Sequence, residues 1–382
     1  MIERSLQFTV CILRFPPCAV AASVSQSGQG GFALQLPNRK LRTILLSFLV
    51  CCLMTASAQD IHFSQYNSSP LLLNPALTGF YSGDYRIAGT FRSQWGSFSD
   101  PYRTIAASAE ISLLKGKLKN DYVGVGVQFF NDQAGEIELG TNHLALSAAY
   151  RKALGYRKKH ALILGIQAAM MKQKLNGDNL IFDSQYNGIT ADPTAVSGES
   201  IDSKSNLAVD ANVGLLYHVV PGDGFNFYVG GAYYHILQPK ISFLTSSDYR
   251  VSAKYVGHLG AQIRLNRLLN LLPSAVYYKQ GRAMQINAGT YLQFVLNDDD
   301  YEALTAFSIG GWTRIATPLP DAVIVGARMD YYNFVLSLTY DVNISNLKTA
   351  SETRGAYEIS IIYIGDFVTR GQRRLMMPCP QL

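Results

Sequence analysis

The feature that most constrains the fold is an alternation of apolar and polar residues that recurs along most of the chain. It is clearest at residues 207–217, where every second residue is apolar and Asp210 and Asn212 stand among the residues between them. Residues 284–294 and 333–343 follow the same rule. Because side chains of a β-strand alternate between its two faces, each segment is predicted to be a strand with one apolar and one polar face.

Less regular versions of this pattern bring the number of predicted strands to fourteen. The further strands are predicted at 85–95, 102–113, 121–132, 141–151, 160–172, 225–235, 254–265, 271–280, 302–313, 321–331 and 355–364. Outer-membrane barrels of bacteria have an even number of strands, and a tilted strand crosses the bilayer with about 9 to 11 residues. The sequence therefore predicts an all-β protein, a transmembrane antiparallel β-barrel of about 14 strands over 85–364.

A soluble β-sandwich is the main alternative fold, since its strands also alternate. Its outer faces would be charged, whereas charged residues make up only 16% of this chain, against about 25% in typical soluble domains. The polar faces carry mostly Gly, Asn, Gln and Ser, and the apolar faces often end in Tyr, Phe or Trp, as in the aromatic girdles of membrane barrels. These faces favour the barrel.

The lengths of the connections give an independent indication, because outer-membrane barrels alternate short periplasmic turns with longer external loops. If the first strand starts in the periplasm, the long connections 173–205, 236–253 and 343–354 all lie outside. The short ones, such as 220–224, then lie in the periplasm. Residues 280–282 are the one tight turn expected on the external side.

The N-terminal region resembles an export signal. Arg39, Lys40 and Arg42 precede an apolar run, and Ala56-Ser57-Ala58 provides a small-residue cleavage site before Gln59. Residues 38–58 are therefore predicted to be a signal peptide, and residues 1–37 a misassigned start or an unusual leader. Cleavage leaves Cys379 as the only cysteine, so no internal disulfide is expected.

The search for chemistry is mostly negative. The chain has no His-Glu-x-x-His, no Cys pair for zinc and no Gly-rich phosphate loop, so no catalytic, cofactor or metal site is predicted. The acidic run Asp298–Asp300 is better explained as a solvated turn than as a calcium site. A hydrolase built on the barrel would need a Ser with a His partner at the lipid face. His143 and Ser147 share one strand face, but that face is expected to point into the lumen. Once the basic signal region is removed the chain is nearly neutral, which gives nucleic-acid binding little support.

The residues before the first strand, 59–84, are not explained by a plain barrel. They are apolar, punctuated by Pro70 and Pro75, and lack the alternation of a strand. A free periplasmic leader would not be so apolar. We therefore expect this segment to dock at the barrel, either inside the lumen or across its periplasmic mouth, and residues 365–382 to form a periplasmic tail.

At these residues a resemblance to a known family becomes specific. Short motifs at both ends of the chain resemble those of the PorP/SprF family, outer-membrane proteins of the type IX secretion and gliding machinery of Bacteroidota. The opening motifs are Phe63-Ser64-Gln65-Tyr66, Asn74-Pro75-Ala76 with Gly79, and Arg92-Ser93-Gln94-Trp95. The closing motifs are Tyr340-Asp341-Val342-Asn343-Ile344-Ser345, Tyr357-Glu358-Ile359-Ser360 and Pro378-Cys379-Pro380.

The resemblance implies a non-enzymatic outer-membrane component that supports secretion or surface display of proteins. Its implied partners are outer-membrane lipid, other type IX secretion subunits and secreted or surface adhesin proteins. Two alternatives stay open. A porin or hydrophobic-solute transporter would use the same barrel with an open lumen, and a soluble exported binding protein would not be found in the outer membrane.

Overall fold

The computed structural model describes residues 60–367, apart from several short stretches. The stretches left out are 97–99, 116–117, 119–120, 136–138, 156–158, 175–182, 187–189, 191, 193, 196–204, 223, 242–248, 298–304, 317–318 and 347. The predicted signal peptide, the acidic run at 298–300 and most of the C-terminal tail therefore lie outside the described residues. So do the motif residues Cys379 and Pro380.

Fourteen antiparallel strands close into a barrel, in which each strand pairs with its neighbours in sequence and β1 pairs with β14. The strands are β1 (Tyr85–Gln94), β2 (Tyr102–Leu113), β3 (Tyr122–Ala134), β4 (Leu139–Leu154), β5 (His160–Lys174), β6 (Ser205–Gly222), β7 (Phe225–Tyr234), β8 (Lys254–Asn266), β9 (Leu269–Gln280), β10 (Ala283–Asn297), β11 (Thr305–Ala316), β12 (Leu319–Tyr331), β13 (Phe334–Asn343) and β14 (Arg354–Gly365). The predicted fold class and number of strands are confirmed.

The alternation read from the sequence is the alternation between lumen and exterior. In β6, Val209 and Leu215 are 57% and 48% exposed on the outside, whereas Asp210, Asn212 and Leu216 are buried in the lumen. The outer wall as a whole is apolar, and near one end Tyr363 packs against Tyr85 and Phe334. An apolar wall with aromatic rings at its edge is the surface that a bilayer covers.

The two ends of the barrel differ in the length of their connections. One end, here called the long-loop end, carries the connections 175–204, 235–253 and 344–353. The other, the short-turn end, carries two-residue turns such as 267–268 and 332–333. This is the predicted alternation of long and short connections.

The long-loop end has more tight turns than the sequence indicated. The expected one is at 281–282, but β11 and β12 are also joined by only two residues, 317–318. A register shift after Arg314 sets Ile315 opposite Pro320, so the pairing of these two strands extends to Ala316 and Leu319.

The helices in the described part of the chain are few and short. Four-residue α-helices lie at α1 (Pro70–Leu73) and α2 (Lys348–Ser351), and 3₁₀ turns at Tyr66–Ser68, Pro75–Leu77 and Asp183–Gln185. Within the described part of the chain, none of the helices has the length and apolar character needed to cross a membrane.

Candidate functional site

The lumen of the barrel holds the chain's own N-terminal residues 60–84, here called the plug segment. The segment runs through the lumen from one end to the other. At the long-loop end the backbone N–H of Asp60 donates to Gln280 at 2.8 Å. At the short-turn end the hydroxyl of Tyr81 donates to the backbone carbonyl of Glu110 at 3.1 Å. The lumen of this barrel is therefore filled by its own chain rather than open.

The sequence of the plug segment explains its irregular path. Pro70 starts α1 and Pro75 starts the next 3₁₀ turn, and proline at the first helical position lacks only an N–H that would be unpaired anyway. Between them, the side chain of Asn74 caps the second turn by accepting from the backbone N–H of Ala76 at 2.8 Å. The chain thus changes direction every few residues. Its apolar side chains Leu71, Leu73, Leu77 and Phe80 are all buried.

Asn74 also fixes the middle of the plug segment to the wall. Its side-chain nitrogen donates to the backbone carbonyls of Leu215, at 3.1 Å, and Gly231, at 3.2 Å. The same nitrogen lies 2.9 Å from Nε2 of His258. One buried amide therefore contacts three neighbouring strands, which explains why the Asn-Pro-Ala motif stands at this point of the chain.

Glycines in the wall allow the plug segment to approach this closely. A Cβ atom added at Gly124 would lie less than 3.0 Å from the backbone of Thr78, and one at Gly165 less than 3.0 Å from the backbone between Pro75 and Ala76. Gly124 lies within β3, where a glycine often marks the close approach of another backbone. Gly79 in the plug segment has φ +77° and itself rests on Gly124, so only glycine fits there without strain.

Replacing Gly165 with leucine is expected to lift the plug segment off the wall. The added side chain meets backbone rather than the movable end of a side chain, so the plug segment must shift. Hydrogen–deuterium exchange of peptides covering 70–80 should then be faster than in the unchanged protein. Gly257→Leu is the matched control, because a Cβ at Gly257 meets nothing within 4 Å. Equal exchange in the two variants would argue against the packing described here.

A buried ionic cluster, here called the clamp, holds the plug segment at Ser64. Its members are Arg92 on β1, Arg314 on β11, Asp341 on β13 and Glu358 on β14. The backbone N–H of Ser64 donates to Oε1 of Glu358 at 2.7 Å, and its hydroxyl donates to Oδ2 of Asp341 at 2.7 Å. The two carboxylates therefore bind both the backbone and the side chain of one plug residue.

The two arginines complete the clamp. Arg314 donates to Oδ2 of Asp341 at 2.7 Å and to the hydroxyl of Ser64 at 3.0 Å. Arg92 donates to the same hydroxyl at 2.8 Å and forms an ion pair with Glu358. Two cations and two carboxylates thus balance one another, and all four side chains are at most 5% exposed. Buried charges are tolerated only when they are paired and hydrogen-bonded in this way.

The clamp shows what the two groups of motifs have in common. Ser64 from the opening motif, Arg92 from β1, and Asp341 and Glu358 from the closing motifs are up to 294 residues apart in sequence, yet they form one site. Sequence reasoning missed Arg314. In the sequence Arg314 is a charged residue at the end of a predicted strand, and such a residue is by itself typical of a solvated turn.

The other motif residues lie around the clamp. Phe63 packs near Phe130, and Tyr66 joins the apolar cluster that holds Leu73 and Phe80. The backbone N–H of Gln65 donates to Glu358 at 2.9 Å, and its side chain bonds Tyr291. Gln94 accepts from Arg92 at 3.0 Å, and Trp95 stacks edge-on against Tyr102. The remaining motif positions in the plug segment, Pro75 and Ala76, are buried against the wall.

A second ionic cluster, here called the latch, holds the start of the plug segment. His235 follows β7 at the long-loop end, and its two ring nitrogens lie 2.6 Å from Oδ2 of Asp210 and 2.7 Å from Oδ2 of Asp60. Lys254 is 3.4 Å from the same oxygen of Asp60. Burial disfavours the charged imidazole, but its hydrogen bonds to Asp210 and Asp60 outweigh this and raise the pKa of His235 to about 9.

The latch is expected to weaken in alkaline solution. Because the pKa of His235 is about 9 in the folded state and 6.5 in the unfolded one, its stabilising contribution is complete below about pH 6.5. The contribution is lost as the pH rises through 9. The free energy of unfolding should fall over this range in the unchanged protein, and fall less in His235→Gln. A titration of the His235 ring by NMR that gives an ordinary pKa would contradict this account.

Among the described residues, no group of three His, Cys, Asp or Glu side chains is placed to hold a metal ion. His143 stacks on Phe130, with ring centroids 4.6 Å apart, and Ser147 accepts from Gln167 at 2.9 Å. His143 and Ser147 both face the lumen.

Comparison with known proteins places these features in a family. A family model described as type IX secretion system membrane protein PorP/SprF matches residues 55–363. No curated protein matches the chain.

Several solved membrane barrels resemble the structure weakly. The toluene transporter TbuX of Ralstonia pickettii is 12% identical, with a TM-score of 0.42, and covers 81% of this chain and 94% of its own. The toluene transporter TodX of P. putida is 12% identical, with a TM-score of 0.43, over 79% and 95%. BamA of Haemophilus ducreyi, lacking POTRA domains 1–3, is 9% identical, with a TM-score of 0.39, over 74% and 70%.

Proposed function

We infer the role of this chain from one premise: it belongs to the PorP/SprF family of type IX secretion system membrane proteins. Together with the closed barrel and its apolar outer wall, family membership makes it an outer-membrane protein. Within that setting, we propose that it supports secretion or surface display of proteins through protein contacts, without catalysing a reaction.

The filled lumen is the observation that carries this proposal. A diffusion porin needs a water-filled route through its barrel. Here the plug segment occupies the lumen, and two cavities between it and the wall hold about 10 and 20 Å³. A cavity of that size accommodates about one water molecule. The clamp and the latch add buried ion pairs that keep the segment in place.

The long-loop end is the proposed contact surface. Its connections 175–204 and 235–253 are far longer than a strand reversal needs, and long loops on a rigid barrel commonly carry binding functions. We propose that they contact other type IX secretion subunits and secreted or surface adhesin proteins. The plug segment contributes to this end through Asp60, which is part-exposed there.

The proposal is tested in a strain that lacks the gene. We expect secretion and surface display of cargo proteins to fall, and to be restored by the unchanged gene. A variant in which residues 240–250 are replaced by a short glycine–serine linker should reach the outer membrane but restore delivery poorly. Glu352→Ala, which changes only an exposed ion pair at the same end, should restore it fully. Unchanged delivery with impaired uptake of small hydrophobic solutes would favour the transporter instead.

A further inference from the structure

The charges on the outer wall of the barrel are unevenly distributed. At outward positions of the described strands the charged side chains are cations. Asp321 is not among these positions, because it lies at a register shift in β12 and pairs with the lumen-facing Arg314 at 2.6 Å. The outward cations are Arg103, Lys152, Lys172, Lys174 and Lys279. Lys152 is neutralised by Asp121 at 2.8 Å. Three of the other four lie close together near the long-loop end.

The strand register places two of these cations, Arg103 and Lys174, in one row with the amide of Gln133 between them. Arg103 is opposite Gln133 on β3, which is opposite Gly140 on β4, which in turn is opposite Lys174 on β5. Three strand spacings separate Arg103 from Lys174, a distance of about 14 Å. No salt bridge to Arg103 or Lys174 is formed by any described residue.

The next row, closer to the membrane centre, continues the polar surface. Asn131 is opposite Asn142, and Asn142 is opposite Lys172. The side-chain nitrogen of Asn131 donates to the side-chain oxygen of Asn142 at 2.9 Å. Each of these amides keeps a further donor or acceptor for a ligand.

One row further down, the wall becomes apolar. Phe129, Leu144 and Met170 follow one another across β3, β4 and β5, and they are 41%, 47% and 47% exposed. The cations and amides therefore lie at the edge of the apolar belt, at the depth where lipid headgroups meet the hydrocarbon. Beside Arg103, a groove of about 600 Å³ lies on the outer wall, with Phe91, Ile105 and Tyr357 among its lining residues.

We propose that this surface of β2–β5 binds a phosphorylated glycolipid of the outer leaflet. Arg103 at one end and Lys172 with Lys174 at the other would pair with two phosphates about 14 Å apart. The amides between them would hydrogen-bond the hydroxyls of the sugar headgroup. The apolar row and the groove below would hold acyl chains. A lipid is favoured over a protein because the cations stand directly above a lipid-facing wall rather than on a loop.

The experiment measures binding of bisphosphorylated lipid A to the purified, delipidated protein in detergent by native mass spectrometry. The triple variant Arg103→Gln/Lys172→Gln/Lys174→Gln should bind about tenfold or more weakly, because basic side chains at a membrane surface each strengthen anionic-lipid binding severalfold. The control variant Lys152→Gln/Lys279→Gln removes two outward cations elsewhere on the wall and should bind as the unchanged protein does. Heat-modifiable gel migration checks that all variants are folded.

Three results would overturn the proposal. Binding of dephosphorylated lipid A as tightly as the bisphosphorylated form would show that phosphate plays no part. Tighter binding of phosphatidylglycerol than of lipid A would identify a different lipid. A protein that copurifies with the unchanged chain and is lost from the triple variant, while lipid affinity stays the same, would identify the surface as a protein interface. None of these readouts depends on secretion, so the result is independent of the proposed function.

Discussion

Replacing Glu358 with alanine is expected to destabilise the folded protein by about 3 to 5 kcal/mol. Glu358 is almost fully buried, pairs with Arg92, and accepts from the backbone N–H groups of Ser64 and Gln65. Its removal leaves a buried cation with less compensation and two backbone donors without their acceptor. Unfolding by urea in detergent micelles, followed by tryptophan fluorescence, measures the difference.

Two further variants show whether the clamp is the cause. Glu352→Ala breaks an exposed pair with Arg354 at 3.2 Å and should change stability by about 0 to 1 kcal/mol. The double variant Arg92→Met/Glu358→Gln removes a cation and an anion together, and the pair between Arg314 and Asp341 remains. It should cost less than Glu358→Ala alone. The stability lost in the double variant is compared with the sum of the losses from the Arg92 and Glu358 substitutions made separately. If the two were equal, the clamp would not be acting as a unit.

The second large effect is expected on the lipid face. Leu215→Arg places a charge near the middle of the apolar wall and should cost about 2 to 4 kcal/mol. Leu268→Arg is the matched control: Leu268 is also exposed, at 65%, but it lies in the turn at the short-turn end. There the cost should be about 0 to 1 kcal/mol. Equal effects in refolding into lipid vesicles would contradict the proposed membrane depth.

A substitution on the lumen face is a weaker control for Leu215→Arg than the alternation alone suggests. If the lumen held water, Asn212→Arg would cost much less than Leu215→Arg. In the structure, the amide of Asn212 donates to Gln167 at 2.7 Å and accepts from the backbone N–H of His235 at 3.0 Å. An arginine there would disturb a packed network. The plug segment is the reason for this difference.

The barrel itself could be predicted because the residue pattern of each strand shows which of its faces is apolar and which is polar. A period of two over about ten residues is a local property, so the fourteen strands were found without knowledge of their partners. The ends of the strands were predicted less accurately. β11 is predicted at 302–313 and spans Thr305–Ala316. Arg314 belongs to the strand and pairs with Asp341 in the lumen, and such a pairing leaves no local trace in the sequence.

The path of the plug segment could not be predicted for the same reason. Its composition indicated docking, but every contact that fixes it joins residues far apart in the chain, such as Asn74 with Leu215 and Ser64 with Glu358. The family motifs named most members of the clamp without showing that they meet. His235, whose ring joins the latch, was one of six histidines with no distinguishing spacing.

Planar-bilayer conductance of the purified, intact protein shows whether the plug segment closes the lumen. The buried Leu71, Leu73, Leu77 and Phe80 each contribute roughly 1.5 to 3 kcal/mol toward keeping the segment docked. We expect little or no steady current from the unchanged protein, and a higher current from Gly165→Leu. A large steady conductance from the unchanged protein would contradict this expectation and would favour a porin.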